Sequence, residues 1–390
     1  MKTILIILTF VTLVEARLFA EGEPKALVQV LAHAVAVKNV CAWPNLKKLA
    51  DRSVVATIFN QPCHGLWEGD IDCWATTDGG KSWQFRGRPA PHEPTTNRML
   101  AAAGTNAKGE LIVLASGYSH RNPPPPEGKP TSPNTGGAPM AIWVCLSADY
   151  GKTWTRAEGV ELPSKSRSTG TTKLSDRLIP FGDVSVIGEG KLGVCLYAWE
   201  PVLKTHDAYF FTSADDGRTW KFASVIAQGG LNETTLLRLR SGDLLACGRT
   251  MKDQHLELLR STDNGRSWKQ EQQLTGPLEH PAHLIELSDG RVLLTYGNRS
   301  LANWKSKWSN GSPGKAEFPK GIEVRISADS GRTWSEPERI ASFDGDGGYP
   351  STVELPDGRL LTGFYAKRTA DYEGYQMATV TWRLQVQTTR

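Results

Sequence analysis

Short apolar runs alternate with polar turns along the whole chain, and the turns repeat. Leu287-Ser288-Asp289-Gly290-Arg291-Val292-Leu293-Leu294 and Leu355-Pro356-Asp357-Gly358-Arg359-Leu360-Leu361 each set Asp-Gly between apolar runs, a strong hairpin signal. Weaker copies stand at Lys108-Gly109-Glu110-Leu111, Gly190-Lys191-Leu192-Gly193 and Ser241-Gly242-Asp243-Leu244, and a degenerate one at Asp51-Arg52-Ser53-Val54-Val55. A second pattern, Ser/Thr-x-Asp-x-Gly-x-Ser/Thr-Trp, occurs at Thr76 to Trp83, Ser147 to Trp154, Ser213 to Trp220, Ser261 to Trp268 and Ser327 to Trp334. Its Asp can accept hydrogen bonds from backbone amides just ahead, and its Gly supplies positive φ where the chain reverses. The Trp packs over the turn.

Together the two patterns predict six units of four antiparallel strands, with the Asp box between the third and fourth strands of a unit. The expected fold is all-β, a six-bladed β-propeller. The sixth unit lacks a box. Its outer part is expected at Ala378 to Val386, paired with an N-terminal strand near Leu27 to Leu31 that closes the ring. No segment of useful length has a helical period.

The 390 residues suffice for one large all-β domain. A net charge of +4 excludes a strongly basic nucleic-acid-binding field and leaves room for an acidic sugar. Met1-Lys2 precedes an apolar run from Ile4 to Val14, with cleavage expected after Ala16 or Ala20. Residues 1–20 read as a secretory signal peptide and 21–390 as the mature domain. The run is too short for an ordinary membrane span, so the expected location is periplasmic or extracellular. Export permits disulfides. Of six cysteines, Cys63 and Cys73 flank one hairpin and form the best candidate pair, while Cys145, Cys195 and Cys247 read as buried thiols. No Cys/His spacing resembles a zinc site, and no metal or cofactor is expected. The loop Arg121 to Pro139, with four consecutive prolines, and the insertion Leu301 to Lys320 belong on the surface or rim.

In a propeller the first strands of all units start at one mouth of the central channel, so functional groups should recur at matching offsets ahead of the Gly turns. Glu233 and Tyr349 do so, each nine residues before Gly242 or Gly358. Arg249 and Arg299 end second strands at the same mouth, and His64, His120, His280 and His283 lie on segments facing it. Imidazoles there leave room for proton transfer.

Asp boxes on a six-bladed ring resemble the sialidase (neuraminidase) superfamily, over nearly the whole mature chain. Asn232-Glu233 through Arg249 is similar to that family's Glu and following Arg, Tyr349 through Gly358 to its last-blade Tyr and turn, and Arg299 to a further Arg. The resemblance implies a Tyr349 nucleophile activated by Glu233, with Arg249 and Arg299 gripping a sugar carboxylate. A neutral phenol avoids the repulsion an anionic nucleophile meets at a carboxylated anomeric carbon, and guanidinium groups bind carboxylates through paired charge-assisted hydrogen bonds. Two positions depart from the family. Cys41-Ala42-Trp43-Pro44 carries Ala42 where a first Arg is expected, so Arg98 or Arg177 would have to reach in. The loop expected to hold the acid/base offers His64, Glu68 and Asp70, of which Glu68 is the chosen candidate, Asp70 beginning the next strand. His280 is a further candidate substrate contact. The activity implied is a sialidase-like hydrolase of terminal acidic sugars. A lyase of uronic-acid polymers, with Tyr349 and a His moving the proton, and a non-catalytic glycan-binding propeller are the alternatives.

Overall fold

A computed structural model describes residues 27–124, 137–161, 178–200, 204–300 and 320–385. The expected signal peptide, Arg177 and nearly all of the Leu301 to Lys320 insertion lie outside them. The described residues form strands joined by turns and loops, with no α-helix, and hence no helix long and apolar enough to cross a membrane.

After β1 (Val28–Lys38), strands β2 (Asn45–Lys48), β3 (Val54–Phe59), β4 (Ile71–Thr76) and β5 (Gln84–Ala90) form an antiparallel sheet in chain order. Next come β6 (Leu100–Thr105), β7 (Leu111–Ser116), β8 (Trp143–Ser147), β9 (Thr155–Glu158), β10 (Val160–Glu161), β11 (Leu178–Gly188), β12 (Lys191–Glu200), β13 (Thr205–Ser213) and β14 (Trp220–Ala227). These nine belong to one sheet, ordered β10-β14-β13-β12-β11-β6-β7-β8-β9. Two four-stranded sheets follow in chain order. One comprises β15 (Leu231–Arg238), β16 (Leu244–Thr250), β17 (Leu256–Ser261) and β18 (Lys269–Gln273). The other comprises β19 (Glu279–Glu286), β20 (Val292–Asn298), β21 (Lys320–Ser327) and β22 (Glu338–Phe343). In the last sheet, β23 (Gly347–Glu354), β24 (Leu360–Lys367) and β25 (Tyr375–Leu384) take β1 as fourth strand, antiparallel to β25 from Val28↔Leu384 to Lys38↔Gln376.

Where six separate four-stranded units are expected, the second and third are hydrogen-bonded through their first strands. β6 and β11 run parallel, pairing Ala102–Gly104 with Gly182–Val184. Gly104 permits this approach: a Cβ there would lie 2.1 Å from the Val184 carbonyl oxygen.

Burial explains the residue choice. β3 and β7 are buried on both faces and are apolar but for Thr57 and Ser116, whereas the outer strand β18, Lys-Gln-Glu-Gln-Gln, is largely exposed. Apolar clusters fill the space between successive sheets, and one joins the first sheet (Leu46, Val54) to the last (Leu361, Met377). All five boxes sit between strands and share one network. In the first, Asp78 Oδ1 accepts the Lys81 and Ser82 amides at 2.9 and 3.1 Å, and Gly80 N–H donates to Thr76 Oγ1 at 3.0 Å.

All six cysteines are unpaired and buried, which corrects the expected Cys63–Cys73 bridge. The two thiols point into different cores, Cys63 beside Phe59 and Met99, Cys73 beside Val55 and Leu111.

Candidate active site

The turns fix the site by register. The hairpin that places Gly242 also places Arg52, since Leu239 and Leu49 N–H donate to Asp243 and Ser53 carbonyls in the same way. Nine residues ahead of Arg52, Gly109, Gly190, Gly242 and Gly358 stand Trp43, Leu100, Phe181, Glu233 and Tyr349, and all five line one cavity of about 340 Å³. Local backbone irregularity accompanies Phe181, Glu233 and Tyr349. The ladder skips between Asn232 and Thr235, Gly348 and Ser351, Phe181 and Ser185, and Glu279 and Ala282, as β-bulges do where a side chain is re-aimed. Trp43, Glu233 and Tyr349 have φ of 40°, 30° and 54°. Left-handed backbone at non-glycine residues costs about 1–3 kcal/mol each and clusters at functional sites.

Tyr349 Oη donates to Glu233 Oε1, and Arg249 Nη1 donates to Glu233 Oε2 at 2.9 Å. Burial and the Glu233 charge push the phenol well above its ordinary range, against the pull of Arg299 and Arg249. The proton therefore rests on Tyr349, beside the acceptor that would take it. Arg299 stacks over the Tyr349 ring at 5.3 Å and donates to Gly347 O at 2.7 Å and Tyr365 Oη at 3.3 Å. Both arginines are thus held on protein acceptors behind the phenol and do not line the cavity. Arg121, Tyr118 and Tyr197 do. His283 also lines it, pairing with Asp183 at 3.1 Å, which Lys47 pairs as well.

Three expected contacts lie elsewhere. Glu68 Oε1 accepts the Thr95 amide at 2.5 Å and its side chain does not line the cavity. Arg98 is 1% exposed, stacked 3.6 Å from the Trp143 ring centroid with Nη1 on Ala141 O. His280 is fully buried, its Nε2 on Gln254 at 3.0 Å, and burial together with Arg299 and Arg249 holds its pKa down to about 2. Of the first-blade loop candidates, His64 alone lines the cavity. Its ring meets the Trp43 ring edge-on at 4.9 Å, and Trp43 meets Tyr349 at 6.0 Å.

Trp43 and Asp346 escaped the sequence reading. The nine-residue offset applied to Arg52 finds Trp43; Asp346, three residues before Tyr349, carries no motif. Cys41, His64 and Asp346 bring donor atoms within 4.8 Å of one another, a set of types that zinc accepts. Burial and Asp346 push the Cys41 thiol well above its ordinary range, and Asp346 already accepts Tyr365 and Tyr375 hydroxyls at 3.0 and 3.2 Å. The group therefore reads as a hydrogen-bonded network.

Strand architecture and the five boxes define a sialidase-like all-β protein. The chain matches the family described as BNR repeat-like domain over residues 130–362, more than half its length, and belongs to that family. A Dyadobacter fermentans protein of unknown function is 21% identical, with a TM-score of 0.71, covering 92% of this chain and 100% of its own. The Hadza microbial sialidase Hz136 is 17% identical, TM-score 0.61, over 88% of this chain and 65% of its own. Trypanosoma rangeli sialidase in complex with the inhibitor DANA is 16% identical, TM-score 0.61, over 88% of this chain and 55% of its own. The chain thus spans just over half of that enzyme, and at these identities the likeness is one of fold. None of the curated proteins matches the sequence.

Proposed function

We propose that the protein is an exported, sialidase-like glycoside hydrolase acting on terminal acidic sugars of glycans, with residues 1–20 removed as a signal peptide. We further read the nine-stranded sheet as two blades fused at β6 and β11, which makes the ring a six-bladed propeller. The observation that carries the activity is the Tyr349–Glu233 hydrogen bond, which joins residues 116 apart in sequence at the wall of the cavity. In this reading Tyr349 Oη attacks the anomeric carbon as Glu233 takes its proton, and the glycosidic C–O bond breaks to release the rest of the glycan. Arg249 and Arg299 place positive charge beside the forming phenolate oxygen, where preorganised electrostatics count most. Water then displaces Tyr349, which recovers its proton from Glu233.

Tyr349→Phe is expected to abolish release of methylumbelliferone from a methylumbelliferyl sialoside while leaving thermal stability within a few degrees of the parent. Turnover retained in that variant would exclude Tyr349 as nucleophile.

One observation favours a second reading, a lyase on uronic-acid glycans. The cavity presents Arg121 and His283, and the position of the expected first Arg is the buried Ala42. An absorbance rise from an unsaturated sugar would select it, since hydrolysis yields none.

A further inference from the structure

We propose that His64 is the acid/base group of this site and that Asp346 positions it. The inference rests on the hydrolase reading and adds what that reading lacks, a proton donor for the leaving oxygen.

The other acids of the same loop are committed elsewhere. Glu68 binds the Thr95 amide, and Asp70 is tied to Arg88 at 2.9 Å and to His92 at 2.6 Å. His64 has 55% of its side chain exposed at the cavity. Its Nδ1 lies 3.3 Å from Asp346 Oδ2, and its Nε2 carries no hydrogen bond among the described residues. A carboxylate on one ring nitrogen with the other nitrogen open is the arrangement by which an Asp orients a catalytic imidazole. Asp346 is itself fixed by the Tyr365 and Tyr375 hydroxyls. Burial pushes its carboxyl up, but His64 and Arg299 outweigh this and hold it down to about 2. The groups facing the imidazole are that carboxylate, the Cys41 thiol and the Trp43 ring.

The chain holds His64 in place on both sides. Gly65 has φ of +68°, and a Cβ there would lie 2.0 Å from Met99 Sδ. Asn97 Nδ2 donates to Gly65 O at 2.9 Å, and Gly65 N–H to Cys63 O at 2.9 Å. Asp346 immediately precedes β23, the strand that carries Tyr349. One strand start therefore carries both the nucleophile and the carboxylate that positions the acid, and the Trp43 indole contacts the rings of both reacting groups.

In the first half-reaction the Tyr349 oxygen bonds to the anomeric carbon and the glycosidic C–O bond breaks. His64 Nε2–H passes its proton to the departing oxygen while Glu233 takes the phenol proton. In the second, water attacks the same carbon and gives a proton to Nε2. The C–O bond to Tyr349 breaks, and Glu233 returns the phenol proton.

The test uses the mature chain with two probes, sialyllactose and a methylumbelliferyl sialoside whose leaving group needs little protonation. General acid catalysis contributes about 10²–10⁴-fold. His64→Ala is expected to lower kcat/KM on sialyllactose by at least about 100-fold and on the activated sialoside by about tenfold or less. Azide should restore turnover of the activated probe by trapping a glycosyl azide. Asp346→Asn should move the alkaline limb of the pH profile downward, because it removes the charge facing the imidazole. Equal losses of His64→Ala on both probes would overturn the assignment, as would abolition of parent activity by a chelator with restoration by zinc. Tyr349→Phe separates the failures. If it stays active, Tyr349 is not the nucleophile and the reaction sequence that gives His64 its step falls with it; if it is inactive while His64→Ala shows no leaving-group dependence, only the His64 role falls.

Discussion

Glu233 and Tyr349 meet because each occupies a left-handed position just inside the start of a first strand. The same register puts Trp43 two residues ahead of β2, so the segment entering the first sheet contributes an indole to the cavity. Its neighbour Ala42 is fully buried in the core shared with Leu46 and Tyr365. Ala42→Arg should therefore build no carboxylate arm. A guanidinium inserted there is unpaired and desolvated, which costs several kcal/mol. The expected outcome is a lower thermal midpoint with no decrease in KM for an acidic sugar; a stable variant with tightened KM would contradict this. At this scale the phenol–carboxylate pair was legible, because equal spacing from a turn glycine survives folding. That His64 rather than Glu68 lines the cavity was not. It depends on which loop side chain the Thr95 amide captures, a contact between segments 27 residues apart.

The hairpins explain what could be read at the level of elements. Each box is a closed local network, so Asp263 in sequence already implies the Ser267 amide at 3.0 Å and the Ser261 hydroxyl at 2.7 Å. Pairing of β1 with β25 was also legible, since both ends of the chain carry an apolar alternation with no other partner. The β6–β11 junction was not, because it depends on a backbone approach that a single glycine permits. Gly104→Ala tests it directly. The added methyl meets the Val184 carbonyl, and such overpacking costs about 1–3 kcal/mol. A lower denaturant midpoint with an unchanged slope is expected, because the strands should loosen at the junction without changing the surface exposed on unfolding. No change in midpoint would mean that the parallel pair contributes little.

Across the whole molecule the boxes couple stability to pH. The Ser82 hydroxyl holds Asp78 down to about 2, and Ser267 does the same for Asp263, each helped by backbone amides. Asp215 and Asp329 are lowered too. An Asp in the unfolded chain titrates near 3.8, so these carboxylates bind fewer protons folded than unfolded in the interval between. The contribution of Asp78 and Asp263 is fully present above about 4 and is lost as pH falls through their folded values of about 2. Because Asp78 and Asp263 sit in separate sheets, their losses should add. The thermal midpoint should therefore fall steeply between about pH 4 and about pH 2. Replacing two box aspartates by Asn, in Asp78→Asn/Asp263→Asn, should lower the midpoint at neutral pH and flatten that acid slope together. A double variant that lost stability at neutral pH but kept the parental slope would place the acid sensitivity in other carboxylates, Asp183 and Asp346 among them, both of which are also held low.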